Sequence, residues 1–338
     1  MPITARELAG MLGVSTATVS IALNGKKGIS DETRKMILDA AAQHGIRMDT
    51  RYNAASKLIT LVVYKKHGKV YGETPFFSAL IEGISAQVVD SGYRLQLTYF
   101  YASQDPVEQC RSIFTSGSEG LILLATEMME EDFPPFANAP IPVVMLDCDL
   151  KTSCYDCVTI HNQQGVYLAV KHLLDNGHRK LGYLRSSVVI PNFTERYVGY
   201  EMAIASSPFR EQCSSQVVRV SSTVSAAYED MNAYLAGNPQ LPTAFFADND
   251  IIAGSCIRAL TEHGYRVPED VSIIGFDDVP SAVLSAPALT TVHVPKEHLG
   301  RYAVQRLIDR IQSGDSTPTV RHSINTSLVI RDTVKRMA

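Results

Sequence analysis

The sequence lacks several features that would point to a membrane protein, a secreted protein or an enzyme. No stretch approaches the roughly eighteen consecutive apolar residues of a membrane-spanning helix. The opening residues MPITARELAG have neither the basic nor the apolar region of a signal peptide. GxGxxG after the first strand, GxxxxGK(S/T) and GxSxG are all absent. We therefore expect a cytoplasmic protein that is not an enzyme and needs no cofactor.

Cysteine is scarce and irregularly spaced, which argues against a disulfide framework in a chain of this size. The CxxC pair Cys154 and Cys157, with Cys148 before it and His161 after it, leaves open a zinc or thiol site. The alternation of CVTIHN as a strand would send Cys157 and His161 in opposite directions, so we expect no metal. The six cysteines are Cys110, Cys148, Cys154, Cys157, Cys213 and Cys256.

Composition and charge suit a globular protein whose two ends differ. The 338 residues are 45% hydrophobic and 20% charged, enough for two or three domains with their own cores. Residues 1–57 carry a net charge of +3 and the remainder −7. A basic segment on an acidic body is expected when only that segment touches a polyanion such as nucleic acid.

Three short helices are predicted in residues 1–46. The first has Leu8, Met11 and Leu12 at helical spacing, and a tight turn separates it from the second. Two short helices joined in this way, followed by a third, form a helix-turn-helix module. The expected N-caps are Thr4, Ser15 and Ser30, and the glycines expected to end the first and third helices are Gly13 and Gly45.

The second helix, in the stretch VSTATVSIALNG, has an unusual outer side of small hydroxyl and methyl groups. Such a side suits a DNA major groove, where small side chains allow close approach and an apolar one can meet a thymine methyl. The alternative is a small bundle whose second helix packs on protein. We expect Val14, Val19, Ala22 and Leu23 to face inward, and Thr16, Ala17, Ser20, Ile21 and Asn24 to face outward.

Residues 47–57 are polar and aperiodic, and we interpret them as a linker to a core over 58–338. In the core, nine apolar strand candidates from LITLVVY to VSIIGFD alternate with helical segments. This alternation predicts parallel sheets with crossover helices. Nine strands are too many for one small sheet, so we expect two α/β lobes. Polar residues at the strand ends are candidate ligand contacts: Asp147, Asn249, Asp250, Asp277 and Asp278.

The segments just described carry a resemblance to a known family. AGMLGVSTATVSIALNG, continued by ISDETRKMILDAAAQHGI, resembles the DNA-binding head of the lactose-repressor family of bacterial transcription regulators. TPFFSALIEGI, AFFADNDIIAGSCIRALTEHGYRVPEDVSIIGFDD and ALTTVHVPKEHLGRYAV match later segments in the family's order.

The resemblance implies a homodimer that binds a palindromic operator and senses a small molecule. Its core would be periplasmic-binding-protein-like, with two doubly wound α/β lobes. The N-lobe would comprise about 58–159 and 289–317, and the C-lobe about 160–288 and 318–338. We therefore expect a transcriptional repressor. The alternative is a cytoplasmic small-molecule-binding protein or an α/β enzyme whose N-terminal bundle binds another protein.

For the DNA-binding head, the resemblance and the predicted outer side together give a set of contacts. Ile21 stands where many members have Arg or Leu, so a bidentate Arg–guanine pairing is missing there and a different operator base is expected. Ala55 falls where the family's hinge usually has a Leu that wedges into the minor groove, so Arg51 and Lys57 are expected to hold the backbone instead. The expected contacts are Thr4, Ser15, Thr16, Ala17, Thr18, Ser20, Ile21, Asn24, Lys26, Lys27 and Arg51.

For the cleft, the resemblance assigns the effector to residues around the strand ends. An Arg, acceptor carboxylates and an aromatic floor suit a hydroxyl-rich ligand such as a sugar. Asp250 and Asp278 are more simply explained as caps of the segments that follow them. The basic run of Lys65, Lys66 and Lys69 is either a solvated loop or an attractor for an anionic ligand. The expected effector contacts are Phe76, Phe77, Asp147, Arg196, Asn249 and Asp277.

Overall fold

The computed structural model describes residues 4–23, 28–44, 57–72, 74–314 and 317–337. The chain divides into two compact units, Met1–Leu58 and Ile59–Ala338, and each is described by itself. Among the described residues, no helix is both long and apolar enough to cross a membrane.

The first unit has three helices, and their boundaries follow from local capping. Helix α1 begins in a capping box in which Thr4 Oγ1 accepts from the Glu7 amide at 3.3 Å, and it ends at Gly13 with φ +65°. Ser15 Oγ accepts from the Thr18 amide at 3.0 Å, and Ser30 Oγ from the Thr33 amide at 3.2 Å. The three predicted N-caps are thus confirmed, whereas Gly45 lies outside the described residues. The helices are α1 Ala5–Leu12, α2 Thr16–Leu23 and α3 Asp31–Gln43.

The core of this unit is small and apolar. Val14 and Leu23 pack against its edge, as the helical spacing predicts. Met11, which shares the helical spacing of Leu8 and Leu12, does not join this core, because 58% of the residue is exposed. The buried residues are Leu8, Ala9, Val19, Ala22, Ile37 and Ala41.

The second unit contains two six-stranded sheets, ordered β11-β5-β4-β3-β1-β2 and β12-β10-β9-β8-β6-β7. The described registers are parallel apart from β10 with β12. The central strands β1, β3, β4, β8 and β9 are buried along nearly their whole length, as expected for parallel sheets covered on both faces. The strands are β1 Leu58–Lys65, β2 Arg94–Tyr101, β3 Gly120–Leu124, β4 Val143–Leu146, β5 Asp156–Ile160, β6 Lys180–Ser186, β7 Ser214–Val220, β8 Ala244–Ala247, β9 Ser272–Asp277, β10 Thr290–His293, β11 Arg321–Ile324 and β12 Ser327–Val329.

The helices of this unit cover the two sheets. Helix α11 packs on α4 so closely that a Cβ on Gly83 would lie 2.2 Å from the Glu297 carbonyl oxygen, and one on Gly300 would lie 2.4 Å from that of Leu80. The helices are α4 Phe76–Asp90, α5 Pro106–Phe114, α6 Asn162–Asp175, α7 Pro191–Ala205, α8 Val224–Ala236, α9 Asp250–Glu262, α10 Pro280–Leu284 and α11 Lys296–Ser313, with 3-10 turns at Glu130–Asp132, Pro134–Phe136 and Arg210–Gln212.

We call the sheet with β1 the N-lobe and the sheet with β6 the C-lobe, each with its helices. The chain passes between the lobes after β5, after β10 and after β11. Strand β10 lies between β9 and β12 in the C-lobe, and β11 pairs with β5 in the N-lobe. The expected bounds, which placed 289–317 in the N-lobe and 318–338 in the C-lobe, are therefore wrong for these two short strands.

Candidate functional site

The outer side of α2 consists of small uncharged groups. Thr16, Ala17 and Ser20 are exposed, while Val19 and Ala22 on the opposite side are buried in the three-helix core. Because the exposed side chains of this eight-residue helix are small, another surface can approach it closely. The division is the one expected of a helix that reads DNA.

Ile21 differs in detail from the prediction, because it is half-buried rather than fully exposed. Its carbonyl and that of Ala22 each accept from Arg34 Nη1 at 3.4 Å, which places a positive charge at the carboxyl end of α2. Ile21 is nevertheless not among the residues of the apolar core.

Other predicted DNA contacts have hydroxyls engaged within the unit. Thr4 Oγ1 donates to Glu7 Oε2 at 2.8 Å, and the Ser15 and Thr18 hydroxyls are 2.8 Å apart. These hydroxyls hold the starts of α1 and α2 in place. Their expected contacts with DNA remain predictions. Asn24, Lys26, Lys27, Arg51 and the hinge position Ala55 lie outside the described residues.

In the second unit, a cavity with about 320 Å³ of empty volume lies between the lobes, at the carboxyl ends of their strands. Asp147 follows β4 of the N-lobe, and Asn249 and Asp277 stand at the ends of β8 and β9 of the C-lobe. All six expected effector contacts line this cavity. Its lining is Val70, Thr74, Phe76, Phe77, Thr126, Asp147, Ile190, Asn192, Phe193, Arg196, Asn249 and Asp277.

Arg196, on α7, is buried and held by three acceptors. Its Nε donates to Asn162 Oδ1 at 2.9 Å, its Nη1 to the Asp248 carbonyl at 2.5 Å, and its Nη2 to Asp277 Oδ1 at 3.3 Å. The guanidinium also lies 3.8 Å from the centre of the Phe276 ring. The bond to Asp277 is the longest of the three, so it is the one that a ligand oxygen would most easily replace.

A polar chain joins the two lobes across the cavity. Asn192 Nδ2, in the C-lobe, donates to the carbonyl of Asp147 at 3.1 Å and to its Oδ1 at 3.0 Å. Asn192 Oδ1 accepts from Asn162 Nδ2 at 3.0 Å, and Thr126 Oγ1 donates to Asp147 Oδ2 at 2.6 Å. Asp147 has φ +60°, a backbone conformation that aspartate tolerates better than most residues.

The buried carboxyl groups around the cavity are poorly solvated, and their pKa values show it. Burial raises the pKa of Asp147 to about 6, although bonds from Thr126 and Asn192 and the charge of Arg196 oppose the rise. Burial also raises the pKa of Asp277, against the charges of Arg196 and Lys296. Near pH 6 Asp147 therefore exists in both protonation states, so it can donate or accept a hydrogen bond to a ligand hydroxyl.

Sequence reasoning missed half of this lining, including three polar side chains. Thr126 comes shortly after β3, so the strand-end argument could have found it. Asn192 lies four residues before Arg196 on α7 and thus on the same helical face. Thr74 precedes α4 in a loop, where periodicity gives no signal.

The basic run before the cleft is occupied by internal contacts. Lys66 Nζ pairs with Glu131 and Asp132 at 2.9 and 2.8 Å, and Lys65 Nζ lies 4.2 Å from the centre of the Tyr99 ring. The buried Glu127 carboxylate accepts from the amides of residues 66, 67, 68 and 70. Burial would raise its pKa, but these bonds and that of His67 lower it to about 2. The run is therefore an anchored loop that brings Val70 to the cavity.

The two aspartates expected to be caps have other roles. Asn249, not Asp250, caps α9 by accepting from the Ile252 amide at 2.9 Å. Asp250 is buried and accepts from the Val279 amide at 2.9 Å, and burial raises its pKa to about 8. Asp278 pairs with Arg331 at 2.6 Å and His293 at 2.9 Å. The capping explanation is wrong for both.

The cysteines form no ion-binding group in the described part of the chain, where no three Cys, His, Asp or Glu side chains are placed to hold a metal. All six are free thiols. Cys148 and Cys157 are buried, and Cys157 Sγ donates to the Cys148 carbonyl at 2.8 Å, while Cys154 is exposed.

Two family models match the chain. Residues 4–47 match the bacterial regulatory proteins of the lacI family, and residues 170–334 match a periplasmic binding protein-like domain. The chain is 33% identical to the HTH-type transcriptional repressor PurR of Mannheimia succiniciproducens, over 99% of both proteins. It is 30% identical to the repressor of the same name from Pasteurella multocida, over 98% of both.

Solved structures of similar fold are also regulators of transcription by their names. A complex of the transcriptional regulator CelR with cellobiose has a TM-score of 0.71 at 25% identity, over 98% of this chain and 99% of that one. The lac repressor dimer bound to operator and the anti-inducer ONPF has a TM-score of 0.71 at 22% identity, over 99% and 100%, and shows the fold alone.

Proposed function

Because this chain belongs to the lacI family of bacterial regulatory proteins and is a DNA-binding transcriptional repressor, we propose that a small molecule in its inter-lobe cavity controls its affinity for operator DNA. The observation that carries the proposal is that Asp147 of the N-lobe and the Arg196–Asp277 pair of the C-lobe face one cavity. A ligand that makes these contacts better in one lobe arrangement than in the other shifts the balance between them, and the ligand and the DNA then change each other's affinity by the same factor.

For DNA, we propose a homodimer that acts in the cytoplasm on a two-fold operator. Its two α2 helices would enter successive major-groove half-sites on one face of the duplex. The exposed Thr16, Ala17 and Ser20 support close approach, and the aliphatic Ile21 supports contact with a thymine methyl rather than a guanine. Lys26, Lys27 and Arg51 would bind phosphates, which carry affinity but not sequence preference.

Replacement of Ile21 tests this surface. Ile21→Arg should change which base is preferred at one operator position, by about 1–3 kcal/mol toward guanine. Met36→Arg on α3 is the matched control, because Met36 is 43% exposed and the variant adds the same charge. Binding is measured on a panel of inverted repeats with each base varied. If the two variants raise affinity equally for every sequence, Ile21 does not face the bases.

For the effector, we propose a sugar or sugar derivative. Carboxylates of Asp147 and Asp277 accept from hydroxyls, the Arg196 guanidinium donates, and the rings of Phe76 and Phe77 offer an apolar floor. The cellobiose bound by CelR supports a carbohydrate, since that regulator shares this fold over nearly the whole chain.

A second candidate is a flat nitrogen heterocycle such as a nucleobase. Three phenylalanines favour it, because Phe76, Phe77 and Phe193 line the same cavity and a planar ring can lie against an aromatic side chain. The amide of Asn192 and the carboxyl of Asp147 can then pair with donors and acceptors on the ring's edge.

Thermal-shift screening separates the two classes. Sugars, phosphosugars, nucleobases and nucleosides are tested with the whole protein. A ligand at one hundred times its Kd stabilises the folded state by about 2.7 kcal/mol. The shift should vanish in Asp277→Asn and persist in Asp309→Asn, whose residue lies 65% exposed on α11. A shift equal in both variants would place the ligand outside this cavity, and an active ligand must also alter operator affinity.

A further inference from the structure

The turn that follows β9 has an unusual backbone. Asp277 and Asp278 both have positive φ angles, +109° and +53°. Two successive non-glycine residues in this region cost free energy, which contacts with the surrounding structure must offset. The Asp277 carboxyl lines the effector cavity and accepts from Arg196 Nη2 at 3.3 Å. The contacts that hold this turn therefore also decide where that carboxyl lies.

Lys296 binds the main chain of the turn. Its Nζ donates to the carbonyl of Asp277, to that of Asp278 at 3.2 Å and to that of Val294 at 3.1 Å. These bonds use all three N–H donors of the ammonium group. The residue is only 8% exposed, so protein carbonyls replace the water that the group would otherwise bind.

Lys296 reaches the turn from the other lobe. It is the first residue of α11, which packs on α4 of the N-lobe, whereas β9 belongs to the C-lobe. A Cβ on Gly83 of α4 would lie 2.2 Å from the Glu297 carbonyl oxygen, so the start of α11 is closely seated on α4. The Lys296 Nζ also lies 5.8 Å from the centre of the Phe76 ring, which lines the cavity from the first residue of α4. Movement of these two helices relative to β9 would carry the ammonium group away from the turn.

The side chains of the turn are held differently. The Asp277 carboxyl pairs with Arg196, and that of Asp278 pairs with Arg331 at 2.6 Å and His293 at 2.9 Å. These three partners belong to the C-lobe, so their bonds move with the turn. The bonds of Lys296 to the turn cross between the lobes, so they depend on the lobe arrangement.

We propose that Lys296 is a positioning residue, which keeps the Asp277 carboxyl in the effector cavity while the lobes have this arrangement. An arrangement that withdraws the ammonium group removes its bonds to two carbonyls of the turn. The turn then relaxes from its positive φ angles, and the carboxyl leaves its place beside Arg196. Separation of the lobes and loss of an effector contact are thereby one event. This inference rests on the proposed role of Asp277 in binding the effector.

Hydrogen exchange of the whole protein tests the turn without an effector, because exchange at single amides measures local opening. In Lys296→Met, exchange should speed by about 10–100-fold at the Val279 amide, which donates to Asp250 Oδ2 at 2.9 Å, as expected for loss of a hydrogen bond to a charged group. The amides of residues 302–309 in α11 should keep their wild-type rates. Lys171→Met is the matched control, because its side chain is 54% exposed on α6 and the variant loses the same charge. It should leave exchange at Val279 unchanged.

A milder variant and a second measurement complete the test. Lys296→Gln keeps N–H donors on a shorter side chain, so it should speed exchange less than Lys296→Met, and it decides the question if Lys296→Met does not fold. In a crystal structure of the variant, the Asp277 carboxyl should no longer lie within hydrogen-bond distance of Arg196 Nη2. Wild-type exchange at Val279, equal acceleration along α11, or a carboxyl that stays beside Arg196 would each overturn the proposal. A ligand screen without a hit would instead contradict the proposed effector and would not alter these measurements.

Discussion

Removal of the Arg196 guanidinium should leave Asp277 buried without the stronger of its two counter-charges, the other being Lys296. In Arg196→Met the bonds to Asp277, Asn162 and the Asp248 carbonyl are lost, as is the stacking of the guanidinium on Phe276. Loss of one partner of a buried pair costs about 3–5 kcal/mol. For 338 residues, at about 2.1 cal/mol/K of unfolding entropy per residue, that corresponds to a fall in Tm of roughly 4–7 °C. The second change Asp277→Asn removes the stranded charge, so the double variant should recover part of the loss.

The pH dependence makes this prediction sharper. Burial already raises the pKa of Asp277, and loss of Arg196 raises it further. A raised carboxyl pKa means that the folded state holds a proton that the unfolded state has released, so stability falls as pH rises. The relevant pH range lies between the folded-state pKa of Asp277 in the wild type and its higher value in Arg196→Met. Across this range, the stability of the variant relative to the wild type should fall by up to about 1.4 kcal/mol per pH unit.

The assay is urea or thermal unfolding of wild type, Arg196→Met, Asp277→Asn and the double variant at several pH values. The double variant has no titrating group at 277, so its deficit should be the same across this pH window. If Arg196→Met and the double variant lose equal stability with no pH dependence, Arg196 does not act as the counter-charge of Asp277.

Three further predictions concern other residues of the second unit. Asp250 should lower wild-type stability by up to about 1.4 kcal/mol per pH unit between its unfolded and folded pKa values, about 4 and 8, and Asp250→Asn should reduce the slope measured in thermal scans by this amount. Gly83→Ala should lose about 1–3 kcal/mol in urea titrations because its Cβ meets the Glu297 carbonyl, whereas Gly254→Ala, with nothing within 4 Å, should gain about 0.5–1 kcal/mol. Glu127→Gln should speed hydrogen exchange at the amides of residues 66–70 without affecting the sheet, because one amide oxygen cannot replace a carboxylate that accepts four of them.

The sequence predicted the α/β core through nine strands, of which even the shortest, β4 and β8 with four residues each, are continuous apolar runs that are buried throughout. The three strands that it missed are β10 with TTVH, β11 with RHSI and β12 with SLV. Polar residues interrupt their apolar runs, and three or four residues contain too few alternations to stand out from a loop. These strands lie beside the later crossings between the lobes. Because they were missed, the predicted lobe bounds placed β10 and β11 in the wrong lobes.

In the first unit, the helix caps could be predicted from the sequence, but the exposure of Met11 could not. A cap depends on residues three positions apart, so Thr4, Ser15 and Ser30 could be identified locally. Whether Met11 is buried depends on which neighbour covers its side of α1, and among the described residues of this unit it stays 58% exposed. Helical spacing cannot distinguish these cases, because it identifies a face but not its partner.

The cavity residues also divide into those that the local sequence predicts and those that depend on a distant partner. Asp147, Asn249 and Asp277 follow apolar strands, so position along the chain was enough to propose them as contacts. Asn192 was missed because its importance comes from a partner in the other lobe, which only the assembled sheets bring near. Their roles in binding an effector remain predictions that the ligand screen tests.

Asn192 and Asp147 both line the effector cavity, and the bonds between them join the lobes. Asn192 donates to Asp147 across the cavity, and Arg196 donates to Asp277 beside it, so a ligand oxygen that engages either carboxylate competes with a bond of this arrangement. A ligand that makes equal contacts in both lobe arrangements shifts nothing, however tightly it binds. Coupling between two sites is commonly about 1–3 kcal/mol, which is the size of one or two hydrogen bonds to charged groups. Re-pairing of the two Asn192 bonds to Asp147, which cross between the lobes, is therefore large enough to carry control from the cavity to operator affinity.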